Sequence, residues 1–164
     1  MIKTLILMRH AKSDWNDPLL DDHERPLNGR GRVSAKALGE WLRIKSILPD
    51  QALISSAVRT RETFARLGVA CDAIFTDALY HASEARLLTE LKGASGETVL
   101  MLGHNPGIAG FAHDLVQTPP NHARFYDYPT CATLVAEFDI DRWADLDPGT
   151  GSVREFVIPR ELTG

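Results

Sequence analysis

The chain has 164 residues, 44% of them hydrophobic, and a formal net charge of −4. That length fits one domain, 1–164, with enough apolar residues for a core. No apolar run approaches the roughly 18 residues of a membrane span, and a pI near 5.8 argues against nucleic acid as a partner. Cys71 and Cys131, the two cysteines, form neither a disulfide framework nor a zinc pattern. The first apolar run is broken early by Arg9 and His10, as a signal peptide would not be, so a reducing, cytoplasmic location is expected.

Ile2 to Met8 is apolar and β-prone and reads as a buried strand, ending on Arg9-His10. Residues 11–28 are a polar, Asp-rich loop with Pro18 and Pro26. From Arg30 to Leu48 apolar residues recur with helical spacing at Val33, Ala37, Leu38, Trp41, Leu42 and Leu48, and Pro49 ends the pattern. Residues 51–55 read as a strand and 57–67 as a helix closed by Gly68, with Ser56 as its expected N-cap. Arg59 then falls in the first helical turn. A cation there is unfavourable beside the positive end of the helix dipole unless an anion joins it. A surface pair with Glu62, three residues on, is the alternative.

Ala73 to Phe75 is a short strand candidate. Ser83 to Lys92 reads as a helix with Leu87, Leu88 and Leu91 inward, stopped by Gly93. Residues 97–102 form a second buried strand, which delivers Gly103-His104-Asn105-Pro106-Gly107 to its end, and a helix follows from Ile108 to Val116. Gln117 to Thr130, with three prolines, reads as an excursion over the surface. Ala132 to Phe138 and Val153 to Ile158 read as two final strands. Alternating strands and helices predict a three-layer α/β/α sandwich with a mainly parallel sheet, in which the last pair could supply an antiparallel edge. In such a sheet the C-terminal strand ends share one edge, where ligands bind. Arg9, His10, Arg59 and His104 are therefore expected to converge there.

These segments resemble the histidine phosphatase superfamily, which has the phosphoglycerate-mutase-like fold. Within it the chain is similar to the short SixA-type phosphohistidine phosphatases. The resemblance is carried by Arg9-His10-Ala11, which stands where the superfamily has Arg-His-Gly, and by Lys12-Ser13-Asp14-Trp15. It is also carried by Asp22 to Gly31, by Ser55-Ser56-Ala57-Val58-Arg59-Thr60 and by Gly103 to Gly107. It implies that His10 is the nucleophile forming a phosphohistidine intermediate, with no metal and no cofactor. A neutral imidazole nitrogen suits that role, because a covalent intermediate splits a difficult hydrolysis into two easier steps. Arg9 and Arg59 would hold the phosphoryl oxygens through charge-assisted hydrogen bonds, and His104 would donate to the same oxygens.

The resemblance places the acid of many superfamily members near Glu84. A first-turn glutamate after a Ser83 cap also serves the helix dipole alone, and His81 and Asp22 are rivals for the role. A leaving imidazole needs less protonation than an alkoxide, so a missing carboxylic acid would fit phosphohistidine. Arg25 is expected on the pocket wall, or else paired with Asp21 or Asp22. Lys12 and Ser13 are expected at the mouth, as substrate-binding residues.

The expected partner is a phosphorylated protein or a small phosphorylated substrate, with no nucleic acid and no membrane. Oligomeric state is left open, with a monomer slightly favoured. Two other functions stay open: a small-molecule phosphomonoesterase or mutase on the same scaffold, and a non-catalytic phosphate-binding module. A cysteine phosphatase fails, since Asp77 and Glu137 stand where an arginine should follow Cys71 and Cys131. There is no Gly-x-Ser-x-Gly elbow, no P-loop and no His-x-x-x-His pair.

Overall fold

The computed structural model describes residues 1–164. Six strands form one sheet in the order β3-β2-β4-β1-β5-β6. They are β1 (Ile2–Arg9), β2 (Gln51–Ser55), β3 (Asp72–Thr76), β4 (Thr98–Gly103), β5 (Thr133–Asp139) and β6 (Ser152–Val157). β1 to β4 pair in parallel, whereas β5 runs opposite to both β1 and β6. The antiparallel pairing thus falls on the side of the sheet expected for it. The reversed strand is β5, one position in from the edge.

The helices α1 (Gly29–Ile44), α2 (Val58–Leu67), α3 (Glu84–Lys92), α4 (Gly107–Leu115) and α5 (Arg160–Thr163) complete the molecule. Alternation along the strands divides the core. Leu5, Leu7, Val99 and Met101 pack in a cluster with Leu87 and Leu91 of α3 and Phe111 and Leu115 of α4. Ile6, Met8, Leu100 and Leu102 pack on the other face with Leu38 and Leu42 of α1 and Leu67 of α2. This is the α/β/α sandwich that near-continuous apolar strands require, because both sheet faces are covered.

Several local expectations need correction. α1 stops at Ile44, not at Leu48; Ser46 takes a positive φ of 57°, and Leu48 is exposed. The buried face of α1 is Gly31, Ala35, Leu38, Gly39 and Leu42, while Val33 faces solvent. Gly39 sits there because α2 crosses so closely that a Cβ would lie 2.0 Å from the Leu67 carbonyl oxygen. Ser56 does not cap α2: the N-cap is Ala57, without a side-chain bond. The excursion from 117 to 130 is not purely superficial, since it drives Phe125 and Tyr128 fully into the core. The Tyr128 hydroxyl donates to the Leu7 carbonyl and accepts from the Leu134 amide, which binds this loop to β1 and β5.

Strand register builds the functional edge. Arg9 pairs with Gly103, and Ile54 pairs with Leu102. The residues that follow, His10, His104 and the Ser55–Arg59 turn, must therefore emerge side by side. No helix is long and apolar enough to cross a membrane.

Candidate active site

The backbone at the end of β1 is fixed on several sides. The His10 amide donates to the Gly103 carbonyl, and the Cys131 amide donates to the His10 carbonyl. The Ala11 amide donates to the Thr63 hydroxyl at 3.0 Å. Ala11 is itself fully buried, so this position has room for a methyl group where the superfamily has glycine. Beyond it, the first turn of α1 presses on the Lys12 backbone. A Cβ on Gly31 would stand 2.1 Å from the Lys12 carbonyl oxygen, so glycine is required for that approach.

His10 is 6% exposed, and its Nδ1 lies 2.7 Å from its neighbour's carbonyl, Ala11 O. A carbonyl only accepts, so Nδ1 carries the proton and Nε2 keeps its lone pair. Burial holds the His10 imidazole at about 3, with the Arg59 and Arg9 charges pushing the same way against the Ala11 hydrogen bond. The ring is neutral at physiological pH. The His104 ring centroid is 5.3 Å away. His104 is also buried, with Nε2 2.8 Å from the Ser55 hydroxyl and Nδ1 without a partner. Burial, then His10 and Arg59, lower its pKa to about 2.

Arg59 is 3% exposed. Its guanidinium donates to the Asp22 carbonyl at 2.6 Å and to the Asp22 carboxylate at 3.0 Å. Asp22 is thus the anion that the helix dipole demanded; Glu62 instead accepts from the Leu27 amide. Tyr80 Oη and His81 Nε2 also hydrogen-bond the Asp22 carboxylate, at 2.5 and 3.0 Å. Partial burial opposes ionisation of Asp22, but these donors and the Arg59 charge outweigh it and hold the carboxyl well below the usual carboxylate range. His81 adopts φ 51°, the left-handed region that non-glycine residues avoid. Its ring lies 5.0 Å from that of His104. Arg9 donates to the Tyr128 carbonyl, and its Nε is buried without a partner. Burial and the nearby Arg59 lower its pKa.

The side chains of Arg9, His10, Asp22, Arg59, His81 and His104 line one open cleft of about 440 Å³. Arg9, His10, Arg59, His104, Lys12 and Ser13 are all there, as the sequence led us to expect. Two expected residues are not. Glu84 lines a separate hollow with Leu88, Phe111 and Asp114, because Ser83 caps α3 and turns Glu84 away from the strand ends. Arg25 lies behind the wall, donating to the Asp17 carbonyl and stacking 4.1 Å from the Trp15 ring. The cleft also contains Trp15, Asp22, His81, Asn105 and Thr130. Asn105 anchors the loop to the 127–128 backbone through its amide group, donating at 3.1 and 3.0 Å. Asn105 lies in the Gly103–Gly107 segment that carries the resemblance, but no role was expected of it.

Comparison with known proteins agrees with this geometry. Residues 5–80 match the model of the histidine phosphatase superfamily (branch 1). An uncharacterized protein of Mycobacterium tuberculosis strain H37Rv is 33% identical over 160 residues, covering 93% of this chain and all of the relative. The chain belongs to the histidine phosphatase superfamily, and the family match together with its structural neighbours makes it a phosphatase hydrolase. Within it the likeness is to the SixA type. A Nakamurella multipartitia protein assigned as the phosphohistidine phosphatase SixA superposes with a TM-score of 0.84 at 29% identity, covering 97% of each chain. The protein histidine phosphatase SixA complexed with tungstate shares the fold, with a TM-score of 0.74 at 18% identity and coverage of 98% of this chain and 99% of that one.

Proposed function

We propose that this protein hydrolyses phosphohistidine in a protein substrate through a phosphohistidine intermediate on His10, without a metal ion. The observation that carries the reading is the state of His10: neutral, its Nδ1 proton held by the Ala11 carbonyl, its Nε2 unengaged, with Arg9, Arg59 and His104 around it. In the first step the Nε2 lone pair forms a bond to phosphorus while the bond from phosphorus to the substrate nitrogen breaks. That electron pair stays with the leaving imidazole. When the second nitrogen of that ring is protonated, the group departs as neutral imidazole and needs no acid from the enzyme. This suits a site whose only lining carboxyl, Asp22, is held ionised. A phosphomonoester would release an alkoxide and would need a donor.

Arg9 and Arg59 supply the positive field for the transferring phosphoryl oxygens, and His104 donates to them. For Arg59 to engage, the phosphate must share or displace Asp22. In the second step water bonds to phosphorus and the bond to Nε2 breaks, giving inorganic phosphate and neutral His10. His81 on the cleft wall already donates from Nε2 to the Asp22 carboxylate, so its Nδ1 is the nitrogen that takes the water proton. Free Cys71 and Cys131 suit a reducing cytoplasm.

Rapid quenching of a reaction with a peptide carrying radiolabelled phosphohistidine tests the mechanism. An acid-labile, base-stable phosphoenzyme is expected in the wild type and is lost in His10→Ala. Equal labelling of the variant ends the assignment. A clear preference for aryl phosphates over the peptide ends the substrate class.

A further inference from the structure

Beside the catalytic cleft runs a second depression of about 290 Å³, lined by Lys12, Arg30, Ser34, Arg124, Thr130 and Arg160 among others. It shares Lys12 and Thr130 with the cleft, so the two form one continuous surface. Its lining contains four cations and no aspartate or glutamate. That is unusual for a chain with a net charge of −4. Arg124 is neutralised by Asp127 at 2.9 Å. The side chains of Lys12, Arg30 and Arg160 make no ion pair and no hydrogen bond, and all three are exposed.

Two local features make this charge arrangement unfavourable on its own. Arg30 stands in the first turn of α1, which contains no acidic residue, so its charge adds to the positive end of a 16-residue helix. Arg160 at the start of α5 faces the same depression. An incoming anion would relieve both. The trough is open and mostly polar, with Ile158 and two prolines as its apolar lining. A buried metabolite favours an enclosed, largely apolar pocket, whereas an extended acidic segment favours this shape.

We infer that the trough docks acidic residues flanking the phosphohistidine of the protein substrate. This rests on the phosphohistidine reading and adds a rule of substrate choice to it. Exposed charges of this kind steer encounter and set register, so the effect belongs in KM and in salt dependence.

The test uses the full chain and two phosphohistidine peptides of equal length, one flanked by glutamates and one by serines. The glutamate peptide is expected to have a kcat/KM about tenfold higher at low salt, an advantage removed near 0.5 M NaCl. In the double variant Arg30→Glu, Arg160→Glu the advantage disappears or reverses through KM, and Arg30→Gln, Arg160→Gln gives an intermediate loss. Turnover of phosphoramidate, which is too small to reach the trough, stays at the wild-type rate and shows that the variants are folded. Equal turnover of both peptides by the wild type, or an unchanged preference in the variants, overturns the trough and leaves the phosphohistidine reading intact. Failure on both peptides while an aryl phosphate is still hydrolysed overturns the phosphohistidine reading, and this inference with it.

Discussion

The cradle at the strand ends and the trough beside it are both cationic, yet they differ in every physical respect. Arg59 is 3% exposed and bound twice by Asp22. Arg30 and Arg160 are exposed and unpaired. A buried guanidinium is held in one geometry and acts in a weakened dielectric, so it can stabilise charge that develops only in a transition state. An exposed one is screened and mobile, and can only attract. Substitutions in the cradle should therefore change kcat, and those in the trough KM.

The largest expected effect is at His10. His10→Ala removes the proposed nucleophile, and turnover of phosphohistidine peptide should fall to background in a steady-state phosphate-release assay; near-normal rates would refute the covalent path. Next comes Arg59→Ala, expected to cost about 3–4 kcal/mol in kcat/KM, since it deletes a preorganised charged donor. That loss should persist at high salt. A loss that salt abolished would place Arg59 with the trough residues instead.

A smaller effect concerns stability. His10 and His104 titrate at about 3 and about 2 in the folded protein, below the ordinary imidazole value near 6.5. Between those limits the unfolded chain binds more protons than the native one, so stability is full above about pH 6.5 and falls as the pH drops. At pH 5 each imidazole should have forfeited about 2 kcal/mol. Chemical denaturation from pH 7.5 to pH 5 reads this directly. In His104→Gln, where one of the two titrations is gone, the slope should be shallower; an unchanged slope would mean that burial of His104 is not its source.

The smallest effect is at Asp22. Its carboxylate holds the Arg59 guanidinium, the group proposed to bind phosphate. Asp22→Asn should therefore tighten product inhibition by inorganic phosphate a few-fold, while slowing dephosphorylation of the enzyme. Weaker phosphate inhibition in the variant would show that Asp22 organises Arg59 for the anion and does not compete with it.

Much of the cradle was legible in the chain. Leu5 to Met8 and Val99 to Leu102 are apolar without interruption, which only a strand covered on both faces allows. A polar or cationic residue that ends such a run must emerge at the sheet edge. That logic located Arg9, His10 and His104. The Asp22–Tyr80–His81 cluster was less visible, because its members are 58 and 59 residues apart and lie on loops without periodicity. Asp22 and His81 stood only as competitors for a role given by resemblance to Glu84. Glu84 follows Ser83 by one residue, and the cap geometry decided where its carboxylate points. Phe125 and Tyr128 were hidden for a related reason. Three prolines marked their loop as irregular, and irregular backbone still buries aromatic side chains when it crosses an open sheet face.

Hydrophobic patterning and strand-end chemistry alone determined the alternating α/β architecture and which residues would emerge at the C-terminal edge of the sheet, since both depend on neighbours in sequence. Tertiary structure alone decided which anion meets Arg59, which way β5 runs, where Glu84 and Arg25 lie, and that Arg30 and Arg160 line a trough adjoining the cleft of His10. Those outcomes depend on register and helix packing between distant segments, and on close approaches such as that of Gly31 to Lys12, which no local pattern encodes.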